Sequence, residues 1–503
     1  MNRILRLVAL AAVIPLLAGC TSLFPAADTS TPVKEDVASD LQPFYQQTLK
    51  WRSCETGMQC ATATAPLDWS KPDGDTIKLA LIRKQASGTS LGSLFVNPGG
   101  PGASGYDMLA TGTSGAVDAT LAKNYDIVSW DPRGVGRSTP VDCGGASVLD
   151  SYIYDIADGT IGSDEWFDST EAGSAAFAKA CADGTGDLLG HVDTASTARD
   201  LDMLRSAVGD DKLNYLGYSY GTFIGATYAN LFPTKTGHLV LDGAVDPEET
   251  IVDVNNTQAK GFESALRAYL TSCVGTADCP FSGTVDEAVT TIGQLLDSLD
   301  ASPIRNSDGR ELGSGTMGTA IVLPLYSKDN WPYLSQLFQS VMAGDASVAF
   351  ALADSYNDRS DTGTYSSNLM EAFNATTCLD YPATETRDEA RADAAALSVS
   401  APLFGSRWGY GGSSCSQWPY AATRTPGPMT ASGSAQILVL GTTNDPATPY
   451  ANAQALASEL ENGHLVSYTG EGHTAYNGDS TCINDVVDAY FVDGTVPATD
   501  PKC

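Results

Sequence analysis

Gly217-Tyr218-Ser219-Tyr220-Gly221 restricts the folds open to this chain more than any other segment. An apolar, β-type run, Leu213–Leu216, leads into it, and Thr222–Asn230 follows with helical character. That context puts a serine on a sharp strand-to-helix turn, where its hydroxyl stands clear of the sheet and glycines on both sides leave room for tight backbone. Gly-x-Ser-x-Gly alone arises readily in a chain with 49 glycines. The flanking strand and helix are what make it a nucleophile elbow with Ser219 at its tip.

The rest of the chain has the rhythm such a turn needs. Apolar runs bounded by turn residues recur at Thr76–Lys84, Ser93–Val96, Tyr125–Trp130, Leu213–Leu216, His238–Leu241, Gln436–Leu440 and His464–Tyr468, with helical stretches between them. Alternation of this kind predicts an α/β fold with a mostly parallel sheet flanked by helices. Asp193–Arg205 reads as a capped helix leading into the elbow strand. Between Asp246 and about Thr430 the rhythm gives way to helical segments such as Ala259–Thr271 and Val285–Leu299, and it resumes at Ser434. The division expected is a first core part over 46–245, an inserted, mainly helical cap over 246–430, and a second core part over 431–503.

The amino terminus carries Arg3 and Arg6, an apolar run Leu7–Leu17, and Leu17-Ala18-Gly19-Cys20. The run is shorter than the ~20 residues of a spanning helix. It reads as a lipoprotein signal over 1–20, with lipidation at Cys20, followed by a flexible Thr/Ser/Pro/Ala/Asp-rich tether over 21–45. The body is then expected at the outer face of the cell membrane, with a fraction released. Eleven cysteines less Cys20 leave an even number in an exported chain, which points to disulfides. Sequence does not fix connectivity; the short spacings favour Cys54 with Cys60, Cys143 with Cys181, Cys273 with Cys279, Cys378 with Cys415 and Cys482 with Cys503. None has Cys-x-x-Cys spacing, so no metal is expected. A formal net charge of −32 excludes nucleic acid as a partner and favours a soluble monomer.

A serine hydroxyl becomes an effective nucleophile only when a base takes its proton and a carboxylate fixes the base's tautomer. Four histidines exist. His191 precedes the elbow, and His238 and His464 open strands, whereas His473 in Gly470-Glu471-Gly472-His473 lies at a loop after a strand near the carboxyl terminus. Asp445 follows the buried-type run Ile437–Leu440, just before Pro446, and falls between Ser219 and His473 in chain order. The glycine-rich loop Asn97-Pro98-Gly99-Gly100-Pro101-Gly102 follows an early strand. There the Gly100 N–H, together with the Tyr220 N–H, is placed to stabilise an oxyanion. Every group acyl transfer needs is present in the chain, so no cofactor is expected.

Asn97–Gly102, Trp130–Ser138, Gly217–Thr222 and Asp445–Pro449 together resemble the secreted tripeptidyl aminopeptidases of actinobacteria, relatives of prolyl iminopeptidases. The resemblance spans about residue 50 to the end. It implies an α/β-hydrolase fold and a serine exopeptidase acting on peptides with free amino termini. Asn97 departs from the His that prolyl iminopeptidases carry before Gly-Gly-Pro-Gly, which weakens any implication of proline specificity. The resemblance also implies cap acids that bind the substrate ammonium, for which Glu371 and Asp380, flanking Cys378, are candidates. Asp131, Arg133 and Arg137 read as residues that hold a loop. The rival reading is an esterase or lipase using the same triad on cell-envelope or lipid esters.

Overall fold

The computed structural model describes residues 28–503. The signal segment, Cys20 and the start of the tether lie outside the described residues. Strands are named in chain order: β1 Asp28–Thr29, β2 Lys50–Ser53, β3 Gln59–Pro66, β4 Thr76–Lys84, β5 Ser93–Asn97, β6 Asp126–Trp130, β7 Leu213–Tyr218, β8 Thr236–Asp242, β9 Ile304–Arg305, β10 Glu311–Leu312, β11 Ile437–Asn444 and β12 Gly463–Glu471. Among the described residues, ten of them form one sheet in the order β1-β2-β3-β4-β6-β5-β7-β8-β11-β12. Pairings from β1 to β6 along that order are antiparallel, and those from β6 to β12 are parallel. This is the α/β-hydrolase arrangement expected.

Successive residues of each central strand face opposite sides, so continuous apolar runs fill two cores at once. Phe95, Val128, Tyr215, Leu239, Leu241, Ile437 and Val439 enter one cluster, while Leu94, Val96, Ile127, Leu216, Val240, Leu438 and Leu440 enter the other. The chain runs from β5 to β6 on one side and then returns past β5 to β7 on the other. Crevices form at the carboxyl ends of strands where the order reverses in this way. The carboxyl ends of β5 and β7 are where the glycine-rich loop and Ser219 sit.

A third cluster, built on Phe262, Leu266, Ile292, Ile321, Phe338 and Phe350, is the core of a helical cap. Its helices include Ile251–Cys273 and Val285–Ala301, both opened by capping boxes, at Thr250/Asp253 and Thr284/Glu287. Its edges depart from the expected division in two places. Tyr154, from the expected first core part, packs in the cap cluster, where Arg310 and Arg359 lie over its ring. The helix Leu369–Asp380, inside the expected cap, buries Ala375 and Leu379 in the sheet's own core. Asn368 pins that helix's start by donating to the carbonyls of Gly134 and Val141 and accepting the Gly136 N–H.

The expectation of a free tether over 21–45 is corrected for its described part. Asp28–Thr29 pairs with β2, the Val33 N–H reaches the Ser206 carbonyl, and Phe44 and Tyr45 are buried. Glu35 closes an ion pair with the buried Arg205 at 2.8 Å and with Lys235 at 2.5 Å. Composition missed this because Glu35's partners Arg205 and Lys235 lie 170 and 200 residues away. The five disulfides join the pairs favoured by short spacing.

Arg133 and Asp200 are fully buried and bonded bidentately at 2.7 Å, and the guanidinium also donates to the carbonyls of Pro66, Leu67 and His191. Removing the carboxylate strands a charge in the core. Asp200→Ala should lower the unfolding free energy by about 3–5 kcal/mol, read by urea denaturation with the disulfides intact.

Candidate active site

Ser219 follows β7 and precedes the helix Tyr220–Leu231, with φ 54° and ψ −127°. A non-glycine residue in that region is strained and persists only when its surroundings hold it. Here the Ser219 N–H donates to the Asp242 carbonyl at 2.8 Å, and the Ser219 carbonyl accepts from the Thr222 hydroxyl at 2.6 Å. The flanking glycines are required by contact. A Cβ at Gly217 would lie 2.4 Å from the Gly221 carbonyl oxygen, and one at Gly221 would lie 2.9 Å from the Asn97 carbonyl oxygen.

His473 sits just past β12. Its Nδ1 lies 2.9 Å from each oxygen of the buried Asp445, so the carboxylate accepts the imidazole N–H. Asp445 also accepts N–H bonds from Ala447, Thr448 and Thr474 at 2.9, 2.9 and 3.2 Å, which fixes its rotamer. Burial alone would push the imidazole down, but the charge and hydrogen bond of Asp445, aided by the charge of Asp242, overcome this and hold it above its ordinary value. Nε2 is buried and has no hydrogen-bond partner among the described residues. Ser219 and His473 flank one piece of backbone: Ser219 is bonded to Asp242, and a Cβ on the next residue, Gly243, would lie 3.2 Å from His473 Cε1. The cap reaches the same loop. The Tyr326 carbonyl accepts the His473 N–H at 2.9 Å, and the Tyr326 ring meets the imidazole edge-on at 5.3 Å.

The glycine-rich loop runs alongside the elbow. A Cβ at Gly99 would sit 2.9 Å from Ser219 Cβ and 3.0 Å from the Tyr220 nitrogen, so no larger residue fits. Asn97 Oδ1 accepts the Gly99 N–H at 2.9 Å and so shapes the turn before Gly100. Tyr220 is the first residue of its helix, so its N–H has no intrahelical acceptor, and the positive end of the helix dipole lies at the same point. On its far side the loop is packed under the helix Leu369–Asp380, where a Cβ at Gly102 would strike the Leu369 carbonyl at 2.5 Å.

The two cap acids are not arranged to receive a ligand. Asp380 is buried and its oxygens accept the Thr194 N–H at 3.0 Å and the Thr194 hydroxyl at 2.5 Å; that hydroxyl also contacts the Tyr220 phenol. Burial pushes Asp380 up to about 7. Glu371 is likewise buried, pushed up to about 7, and bonded to the Cys143 backbone. Each is enclosed by its own scaffold, Asp380 by Thr194 and Glu371 by the Cys143 backbone, and neither lines the cavity beside His473. Asp131 accepts from Ser104, Tyr106 and Arg137, and Arg137 pairs with Asp107, so these residues brace the loop after β6. A cavity of about 280 Å³ opens beside His473 between Tyr326–Asp329 and Gly472–Asp479. A larger one of about 680 Å³, between the cap residues Leu266, Ile321, Phe404 and Trp408 and the segment around Ile156 and Trp166, has no triad residue in its wall. Sequence reading passed over Asp242 and Tyr326. Asp242 had a signal, an acid closing a buried strand before glycine.

A strained serine, an imidazole paired with a buried carboxylate and unpaired amides around them define a serine hydrolase of the α/β-hydrolase fold. A family model described as TAP-like protein matches residues 401–503. Serine protease Hip1 of Mycobacterium tuberculosis (strain ATCC 25618 / H37Rv) is 35% identical over 518 aligned residues, covering 98% of this chain and 96% of that protein. Carboxylesterase B of the same strain is 37% identical over 470, covering 90% and 89%. Tripeptidyl aminopeptidase of Streptomyces coelicolor is 32% identical over 476, covering 90% and 86%. The chain belongs to this family of TAP-like serine enzymes.

Three outcomes follow for the site. The base works as neutral imidazole, so a raised His473 places the acid limb of kcat/KM above the ordinary 6.5, with activity lost as pH falls through it. Asp445→Asn should move that limb down and cut kcat by roughly 10⁴-fold, as expected when the tautomer is lost. Gly99→Ala should leave the far-ultraviolet circular dichroism unchanged while slowing fluorophosphonate labelling by at least about tenfold, since the methyl displaces Ser219 or Tyr220.

Proposed function

We propose that the protein is a lipid-anchored serine exopeptidase of the cell exterior that releases short peptides from free amino termini. Ser219 Oγ attacks the scissile carbonyl while His473 Nε2 takes its proton. The Gly100 and Tyr220 N–H groups bind the developing oxyanion, and Asp445 stays ionised to stabilise the imidazolium. His473 then returns the proton to the departing amine. Water, deprotonated by the same imidazole, releases the amino-terminal fragment from the acyl-enzyme. The observation that carries this reading is the His473–Asp445 pair, braced beside a left-handed Ser219.

Peptide specificity is supported by the relatives named serine protease and tripeptidyl aminopeptidase. Export is supported by the leader ending at Cys20 and by five paired disulfides, which persist in oxidising compartments. A second reading, ester hydrolysis at the same triad, is favoured by the relative named carboxylesterase.

Ser219→Ala should abolish fluorophosphonate labelling; a variant still labelled at full rate excludes Ser219 as nucleophile. Among substrates, free tripeptide amides should be turned over well and their amino-blocked forms poorly. Short acyl esters turned over faster than both would favour the esterase. In cells fed labelled palmitate, Cys20→Ala should lose the label.

A further inference from the structure

Asp242 ends β8 with no exposed surface, and nothing in the triad chemistry uses its carboxylate. Its two ends nevertheless serve both halves of the site. The backbone carbonyl accepts the Ser219 N–H at 2.8 Å. The side chain accepts the Ala475 N–H at 3.0 Å on each oxygen and the Tyr476 N–H at 2.8 Å on Oδ2. The neighbouring strand completes the pattern: β11 lies parallel to β8, and Asp445, just past its end, accepts the Thr474 N–H. Three consecutive amides after His473 are thus divided between two carboxylates on adjacent strands. Thr474, at φ +68°, has the left-handed turn that aims those amides in different directions.

We propose that Asp242 is a positioning residue for the reaction, tying the histidine loop to the nucleophile elbow so that one side chain sets the register between Ser219 and His473. This rests on Ser219 and His473 being nucleophile and base. Without the carboxylate, the Ala475 and Tyr476 amides lose their buried acceptor, and the loop is free to move off the Asp445 hydrogen bond. Asp242 also acts on His473 by charge. The imidazole meets Asp445, the Thr448 hydroxyl at 3.3 Å and the Tyr326 ring, and it shares its cavity with Lys328, Asp329, Glu471 and Asp479; the charges that act on it most are those of Asp445 and Asp242, and both favour its protonated form. Burial pushes Asp242 itself up to about 6, against the pull of its two amide donors and of His473, with Asp445 pushing the other way; Tyr218 lies close enough to feel its charge.

The test uses the full mature chain and a fluorophosphonate, whose reaction with serine is the same for a peptidase and an esterase. Labelling of wild type that requires Ser219 and rises with pH establishes the underlying reading; without it that reading falls first, separately from Asp242. Asp242→Ala should then slow labelling and lower kcat by roughly 10²-fold with KM within about twofold, the signature of misplaced groups. Asp242→Asn retains an acceptor oxygen and removes the charge. It should recover most of the rate at high pH, and its acid limb should move to lower pH. Asp200→Asn, a buried acid remote from the loop, should lower stability while leaving the pH profile in place. Should Asp242→Ala fail to fold, the asparagine variant decides alone. An Asp242→Asn profile superimposed on wild type, or Asp242→Ala with undiminished kcat, overturns the proposal.

Discussion

The left-handed backbone at Ser219 is the constraint around which the site is organised. A serine adopts that conformation only where the surrounding backbone leaves no alternative. The enclosure here is made of main chain: the Asp242 carbonyl on one side, the Gly99 loop on another, and glycines at 217 and 221 where a methyl group would strike a carbonyl. The result is a hydroxyl presented at the start of a helix, where unpaired amides already favour negative charge. The nucleophile's position and the oxyanion's environment thus come from one local geometry.

Around this point the molecule is assembled from distant pieces. The imidazole, its carboxylate and the glycine-rich loop come from three different strand ends, and parallel pairing brings those ends to one edge of the sheet. The seam between sheet and cap is interlocked. Tyr154 crosses into the cap core, the helix Leu369–Asp380 crosses back, and the Tyr152 hydroxyl, donating to Asn374 Oδ1 at 2.8 Å, ties the two crossings together. Asp380 and Glu371 belong to this seam, which accounts for their burial.

Much of the fold was legible because buried parallel strands are written as unbroken apolar runs. Ile437–Leu440 and Leu239–Leu241 are of that kind, and their termini fall within a few residues of the observed ones. β3 was harder. Its Ala61, Ala63 and Ala65 point inward between threonines, an alternation with little hydrophobic contrast. The nucleophile, base and acid stood out through chain order and loop position, which follow from topology. Cap acids carry no such mark, since a carboxylate flanking a cysteine looks the same whether it faces a ligand or, like Asp380, a threonine 186 positions away. The docked segment over 28–45 was illegible for the same reason: Glu35 gains meaning only from Arg205.

The hydrogen bond from the His473 N–H to the Tyr326 carbonyl makes the helical insertion part of the base's own mounting. Lid and engine are therefore not interchangeable parts. A chimera that grafts a different insertion onto this sheet must supply a carbonyl at that point or accept a wandering imidazole, and trimming the insertion away would not leave a minimal hydrolase behind. Divergence of the insertion toward new substrates is held back where it touches this loop and where the helix Leu369–Asp380 packs against the glycine-rich loop.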